Sequence, residues 1–248
     1  MTRGDFLLAE RRNSMVESAL VILSGGQDST TCLFWARKEF SLIYAITFDY
    51  EQRHAIEIEA AKKVASIFLP EGHEIIKLGR ILKGCSPLIS DNSVEQYQSL
   101  ESMPGGIEKT FVPARNSLFL TLAMNRAVIL DCKNIVIGLS QVDYGGYPDC
   151  REDYLTEISL ALNKGVFGQD KKEYINIWAP LLNLSKKQTV ELAMQLGADC
   201  IKALAYSHTC YNGVCPPCGK CHSCLLRQQG FEEAGIRDPL IARLERRR

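Results

Sequence analysis

Two stretches of this chain combine residue types and spacing that could do chemistry. The first is the run Leu23-Ser-Gly-Gly-Gln-Asp-Ser-Thr-Thr31, which directly follows the apolar residues 19–22 and directly precedes a helix-like stretch over 32–40. Paired glycines let a backbone approach an anion closely. The unpaired amides at the start of the following helix, with the hydroxyls of Ser24, Ser29 and Thr30, add donors, so the loop suits phosphate. It lacks the Gly-Lys-Ser/Thr of a Walker A loop, and no lysine within it reaches toward a γ-phosphate. Asp28 offers hard oxygen ligands of the kind Mg2+ takes. The second stretch places Cys210, Cys218, Cys221 and Cys224 in the spacing C-x7-C-x2-C-x2-C, with Gly219 to allow tight turns. Close thiolates in this pattern point to Zn2+; four sulfurs would close the shell and make the metal structural. Cys215, in Cys215-Pro-Pro-Cys218, competes as a fifth thiol, and His208 and His222 stand nearby. An iron–sulfur cluster is the alternative, because three of the cysteines mimic part of a ferredoxin run, without its following Cys-Pro.

The rest of the composition bounds what these stretches can serve. With 248 residues, 46% hydrophobic and 23% charged, the chain is expected to fold as one ordinary domain with a sizeable core and a small appendage. No apolar run approaches the roughly 20 residues that span a bilayer. The polar N-terminus shows no signal-peptide core, so a cytoplasmic location is expected. Twenty-nine acidic residues against 29 basic ones create no global field for nucleic acid, although residues 243–248 form a local basic tail. Of ten cysteines, five lie between positions 210 and 224, which in a reducing compartment argues for metal rather than disulfides. The scattered Cys32, Cys85, Cys132, Cys150 and Cys200 read mostly as small buried hydrophobes.

The elements that must position these groups alternate. Strands are expected over 19–22, 41–48, 74–78, 134–138 and 175–178, and helices over 28–39, 55–68, 114–130, 151–163 and 185–196. Ser185 caps the last of these, and Gly197 stops it. Strand–helix alternation with short connections predicts a parallel sheet covered on both faces. In such sheets, ligands sit where strand C-termini meet loops at the reversal of strand order. Loops 49–54, 111–116 and 143–151 fall on that side and concentrate charge and aromatics. Residues 79–112, polar and weakly periodic, read as a mobile insertion or lid. The expected organisation is a flexible extension at 1–17, with Met15 a candidate initiator, then an α/β nucleotide-binding body at 18–204, and a four-cysteine segment with a helical tail at 205–248.

The loop Ser24-Gly-Gly-x-Asp-Ser29 resembles the PP-loop of ATP pyrophosphatases. Taken with Phe48-Asp-Tyr-x-Gln-Arg-His54, Phe111-Val-Pro-x-Arg-Asn116, Gly146-Tyr-Pro-Asp-Cys-Arg151, Ser207-x-x-Cys210-Tyr, the later cysteines and Gly230-Phe-x-Glu-Ala-Gly-Ile236, it resembles the 7-cyano-7-deazaguanine synthase (QueC) family over most of residues 19–239. The resemblance implies a three-layer α/β sandwich with a doubly wound, mainly parallel sheet of the adenine nucleotide alpha hydrolase-like kind, plus a small C-terminal zinc-binding segment. It implies an ATP-dependent ligase that converts 7-carboxy-7-deazaguanine and ammonia to the nitrile through adenylylated carboxylate and amide, with Mg2+ accompanying ATP and with a homodimeric state. ATP would be held by Leu23, Ser24, Gly25, Gly26, Gln27, Asp28, Ser29, Thr30, Thr31, Cys32 and Leu33. Asp28, Arg115 and Arg53 would act in catalysis, the arginines facing developing anions. Asp143, Tyr147, Asp149 and Arg151 would bind the base, an aspartate accepting its paired N–H donors and Tyr144 or Tyr147 stacking on it. Asp149 could instead cap the helix beginning near Arg151. His54 could shuttle a proton, and no cysteine nucleophile is required. No membrane or stable nucleic-acid partner is expected.

The chain departs from the family pattern at Glu51 and Ala114, where glycine is usual. If either backbone needs φ > 0, its β-carbon costs roughly 1 kcal/mol. Two other readings stand beside the synthase. A tRNA-thiolating PP-loop enzyme would use the metal-bound cysteines and basic tail, and a nucleotide-binding module without turnover would use the cysteine segment to engage RNA or protein.

Overall fold

The computed structural model describes residues 17–69, 72–103, 106–142, 146–168 and 173–246. Nearly all of the expected N-terminal extension, the loop residues Asp143 and Tyr144, and the end of the basic tail therefore lie outside the described residues. Strand β1 (Ser18–Ile22) is buried along its whole length and pairs in parallel with β2 (Leu42–Asp49) on one side and β4 (Asn134–Val136) on the other. β3 (His73–Lys77) and β5 (Asn176–Trp178) extend the two flanks, giving the all-parallel order β3-β2-β1-β4-β5. The period of two along β1 divides the core. Ala19 and Val21 pack under helices α1 (Gln27–Glu39), α2 (Ile56–Phe68), α5 (Lys186–Gln195) and α6 (Ala198–Leu204). Leu20 and Ile22 pack under α3 (Arg115–Ile129) and α4 (Glu152–Phe167). The result is the three-layer α/β sandwich with helices on both faces.

Helix starts follow local chemistry. Ser185 and Gln188 form a reciprocal capping box on α5: the Ser185 hydroxyl accepts from the Gln188 N–H at 3.3 Å, and the Ser185 N–H donates to Gln188 Oε1 at 2.9 Å. Gly197, expected only to stop that helix, has φ 105° and turns the chain directly into α6, a helix that periodicity did not reveal. After the cysteine segment come α7 (His222–Glu233) and α8 (Pro239–Glu245), the latter with Pro239 in its first turn and the Asp238 side chain accepting from the Leu240 N–H. Phe231 of α7 is buried in the same core as Leu204 and Leu33, so the C-terminal segment is continuous with the α/β body.

Residues 79–112 differ from the expected mobile insertion: their described part is fastened to the cysteine segment. Val94 is buried among Cys210, Cys221 and Cys224, the Tyr97 N–H donates to the Lys220 carbonyl at 2.8 Å, and Leu88 is buried and accepts from the Arg53 N–H. Among the described residues of the stretch the only regular element is a 3-10 turn at Leu100–Ser102. Glu51 and Ala114 both have positive φ, 55° and 60°, in the left-handed region where a β-carbon is strained.

Candidate active site and metal centre

Strand order reverses between β1 and β4, and a cavity opens outside the C-terminal ends of these two strands. Its floor is the glycine loop. Gly25, at φ 91°, lies so close to α2 that a β-carbon would sit 2.1 Å from the Glu57 carbonyl oxygen and 2.6 Å from the Ala61 nitrogen. Only glycine fits there. The Ser29 hydroxyl knits the loop, accepting from the N–H groups of Ser24 (3.1 Å) and Gly25 (3.2 Å) and donating to the Gly26 carbonyl (3.2 Å). Behind it, the first amides of α1 have no partner within the helix and face the cavity end, as an anion requires. The loop is also held from the C-terminal segment, where the His208 N–H donates to the Gly25 carbonyl at 2.9 Å.

Within the expected nucleotide run, Leu23, Ser24, Gly26, Gln27, Asp28 and Ser29 line this cavity. Thr30, Thr31, Cys32 and Leu33 do not: all four are buried, Thr31 bonds back to the Gln27 carbonyl, and Cys32 and Leu33 pack in the core under β1. Asp28 is gripped through both oxygens by Lys186, whose Nζ lies 2.9 and 2.8 Å away. The Lys186 side chain is 9% exposed and that of Asp28 26%. A lysine therefore does reach the loop, from α5 rather than from the loop itself. Part of the Asp28 carboxylate remains open to a cation arriving with the triphosphate.

The facing wall comes from α3 and the loop after β2. Arg115, the first residue of α3, lines the cavity with Asn116, Phe119, Tyr50, Gln52 and His54. Its guanidinium stays protonated: burial opposes the charge, and Tyr50, Tyr211, Asp149 and Tyr147 hold it. Phe48 and Phe119 stack at 4.5 Å and 16°, a flat apolar surface beside that charge. His54 Nε2 and Glu57 Oε2 are 3.6 Å apart. Burial pushes the Glu57 carboxyl up to about 8 against the pull of Arg115, and burial and then Arg115 push His54 down to about 3. The pair is thus a neutral acid and a neutral imidazole at pH 7. Arg53, expected beside them, is exposed and turned outward, donating to the Ser90 carbonyl at 3.3 Å.

Of the residues expected to bind the base, Tyr147 lines the cavity, while Asp143 lies outside the described residues. Asp149 is buried behind the wall: its carbonyl accepts from Asn116 Nδ2 at 3.3 Å, and its carboxyl is raised by burial and drawn down by Arg115. It does not cap α4, whose N-cap is the exposed Arg151 without a side-chain cap bond; Arg151 does not line the cavity. Burial, with Asp149 beside it, pushes the Cys150 thiol up to about 12, so it is no thiolate nucleophile at neutral pH. Thr209, Tyr211 and Ser223 complete the lining from the cysteine segment, and nothing in their local sequence placed them there.

The sulfurs of Cys210, Cys218, Cys221 and Cys224 all lie within 4.8 Å of one another. Cys218 and Cys224 are 3.9 Å apart, close to the ~3.8 Å edge of a tetrahedral zinc tetrathiolate. N–H groups aim at the sulfurs: Cys218 N at Cys210 Sγ (3.4 Å), Cys221 N at Cys218 Sγ (3.3 Å) and Asn212 Nδ2 at Cys218 Sγ (3.4 Å). Such donors stabilise thiolates and orient them. Cys215 is exposed and outside the cluster, which resolves the competition of five thiols for four places.

Among the described residues no helix is long and apolar enough to cross a membrane. The chain is 49% identical over 226 residues to a 7-cyano-7-deazaguanine synthase of Gloeobacter violaceus, covering 91% of this chain and 96% of that one. It is 46% identical over 231 residues to that of Laribacter hongkongensis, covering 92% and 96%. Among solved structures, a 4-thiouridine synthetase–RNA complex with bound ATP overlays with a TM-score of 0.47 at 18% identity, covering 92% of this chain and 53% of that one. The family description "Queuosine biosynthesis protein QueC" matches residues 18–235, and with relatives this similar over nearly their whole length, the chain belongs to the QueC family.

Proposed function

We propose that this chain converts 7-carboxy-7-deazaguanine and ammonia to 7-cyano-7-deazaguanine at the cost of two ATP, a ligase reaction that supplies the queuosine precursor. The supporting observation is one cavity in which the glycine loop, a half-buried arginine and an aromatic wall converge, in a chain of this family. A carboxylate is a poor electrophile until one oxygen becomes a leaving group. Attack of the substrate carboxylate on the α-phosphorus of ATP releases pyrophosphate and leaves an acyl adenylate; ammonia displaces AMP and, after losing a proton, gives the amide. In the second round the amide oxygen takes AMP from another ATP, again releasing pyrophosphate. Loss of AMP and of the remaining N–H protons then leaves the nitrile.

In this reading Leu23 to Ser29, with the amides that open α1, hold the leaving pyrophosphate, and Mg2+ enters with ATP beside Asp28. Lys186 keeps the Asp28 carboxylate turned to the cavity. Arg115 faces the anionic phosphorus and carboxyl oxygens as charge develops there. The base lies against the Phe48–Phe119 wall and Tyr147, with Asp143 accepting its paired N–H donors. The four thiols hold Zn2+, which fixes the segment carrying Thr209, Tyr211 and Ser223 over the loop. The enzyme works in the cytoplasm as a homodimer without a stable nucleic-acid partner. The test is incubation with Mg2+, ATP, ammonium and 7-carboxy-7-deazaguanine, following products by mass spectrometry. Nitrile with two AMP per turnover is expected. Folded, metal-loaded protein that consumes no ATP in response to the base would refute the assignment and move tRNA thiolation to first place.

A further inference from the structure

We infer that Glu108 and Thr110 are positioning residues, forming a buried strut that ties Tyr147 on the cavity wall to His222, between Cys221 and Cys224 of the cysteine cluster, and that this strut sets the affinity of the cavity for the base. The inference rests on the reading of that cavity as the base site. The Tyr147 hydroxyl lies 2.5 Å from Thr110 Oγ1, Thr110 Oγ1 donates to Glu108 Oε2 at 2.9 Å, and the same carboxylate oxygen lies 2.8 Å from His222 Nδ1. His222 is the first residue of α7, between the thiols of Cys221 and Cys224. All four residues are buried. Each hydroxyl has one proton, and Thr110 gives its proton to Glu108, so the Tyr147 hydroxyl is the donor to Thr110. The direction of every bond along the strut is thereby set, from the cavity wall toward the carboxylate.

Burying a carboxylate and two hydroxyls is costly unless they are joined; Glu108 Oε2, Thr110 and Tyr147 are joined, while Glu108 Oε1 has no hydrogen-bond partner among the described residues. The backbone around the strut is held in the same sense. The Ser86 hydroxyl donates to the Thr110 carbonyl at 3.0 Å, and the Phe111 ring packs 5.3 Å from that of Tyr147. Upstream, Val94 and Tyr97 anchor the same segment on the cysteine cluster. The described residues of 79–112 therefore act as a brace between the cysteine segment and the cavity wall.

The test uses full-length, metal-loaded protein and calorimetric binding of 7-carboxy-7-deazaguanine and of ATP, each measured alone, for wild type, Thr110→Val, Thr110→Ser, Glu108→Ala and Tyr147→Phe. Losing a bond of this kind is expected to weaken base binding about 3- to 10-fold. Thr110→Val, Glu108→Ala and Tyr147→Phe should each show that loss, with ATP affinity and metal content unchanged, while Thr110→Ser restores wild-type binding. Combining Thr110→Val with Tyr147→Phe should add little to either, because both remove the same bond. Tyr147→Phe also probes the bond from its other end should Thr110→Val fold poorly. Unchanged base affinity in Thr110→Val or in Tyr147→Phe, or equal losses for base and ATP that Thr110→Ser does not rescue, would overturn the strut while leaving the functional reading intact. Wild-type protein that binds ATP and not the base would overturn the functional reading and the strut together.

Discussion

Ala114→Gly should make this protein more stable. Ala114 is the N-cap of α3 at φ 60° and ψ 7°, in the left-handed region, and its carbonyl accepts the first bond of that helix from the Leu118 N–H at 3.0 Å. Holding an L-residue there costs roughly 1–2 kcal/mol. Glycine removes that cost but has the more mobile unfolded chain, which takes back about 0.4–1 kcal/mol. Ala114 is exposed, so its methyl group contributes no buried area. The balance is a gain of about 0.5–1 kcal/mol, or a rise in Tm of roughly 1–4 °C for a chain of this size. An internal control exists in Ala55, the exposed N-cap of α2, which sits at φ −55° in the right-handed region. There Ala55→Gly gains no strain relief and should lose about 0.4–1 kcal/mol. Urea denaturation of metal-saturated protein, compared at constant m-value, reads both variants. A midpoint for Ala114→Gly at or below wild type, or a shift of Ala55→Gly in the same direction as Ala114→Gly, would show that backbone strain is not what separates the two positions.

Cys221→Ser should lose the bound metal and several kcal/mol of stability, whereas Cys215→Ser should keep both; metal per chain and melting curves decide, and equal metal loss in the two variants would contradict the four-sulfur set. Asp28→Asn removes the carboxylate that the Lys186 ammonium, 9% exposed, reaches at 2.9 and 2.8 Å. It should abolish pyrophosphate release and cost about 2 kcal/mol, less than the roughly 3–5 kcal/mol of a fully buried pair because Asp28 is 26% exposed; an Asp28→Asn enzyme with wild-type turnover would exclude this pair from the reaction. Stability should fall as pH rises from 6.5 to 8. The Glu57 carboxyl moves from 4.5 unfolded to about 8 folded, so its contribution is whole below 4.5 and is lost as pH climbs toward 8. His54, lowered from 6.5 to about 3, acts oppositely and only below 6.5. The slope attributable to Glu57 is at most about 1.4 kcal/mol per pH unit, and Glu57→Gln should flatten it in urea titrations at pH 6.5 and 8; an unchanged slope would place the titrating group elsewhere.

Local chemistry was legible because it is written within a few residues. The apolar run at 19–22, the Ser185 cap, the glycine turn before α1 and the thiol spacing each follow from backbone sterics, hydrogen-bond demand or ligand geometry at short range. These features, with the family resemblance, determined the parallel α/β sandwich, the phosphate loop and the metal cluster. Even the strain at Glu51 and Ala114 was foreseeable, since a β-carbon where the family pattern has glycine marks a left-handed backbone. Only the tertiary structure decided which polar groups share the cavity. Lys186 meets Asp28 across 158 residues of chain, and Arg53 points outward although Arg115 points in. Tyr211 and Ser223 line the same cavity as the glycine loop, from a segment far along the chain. Residues 79–112 read as a mobile insertion or lid, and within them Glu108 lies 2.8 Å from His222 Nδ1 of the cysteine segment. Such contacts depend on how helices cross and loops return, to which sequence spacing is blind, so the site had to be read from the packed molecule.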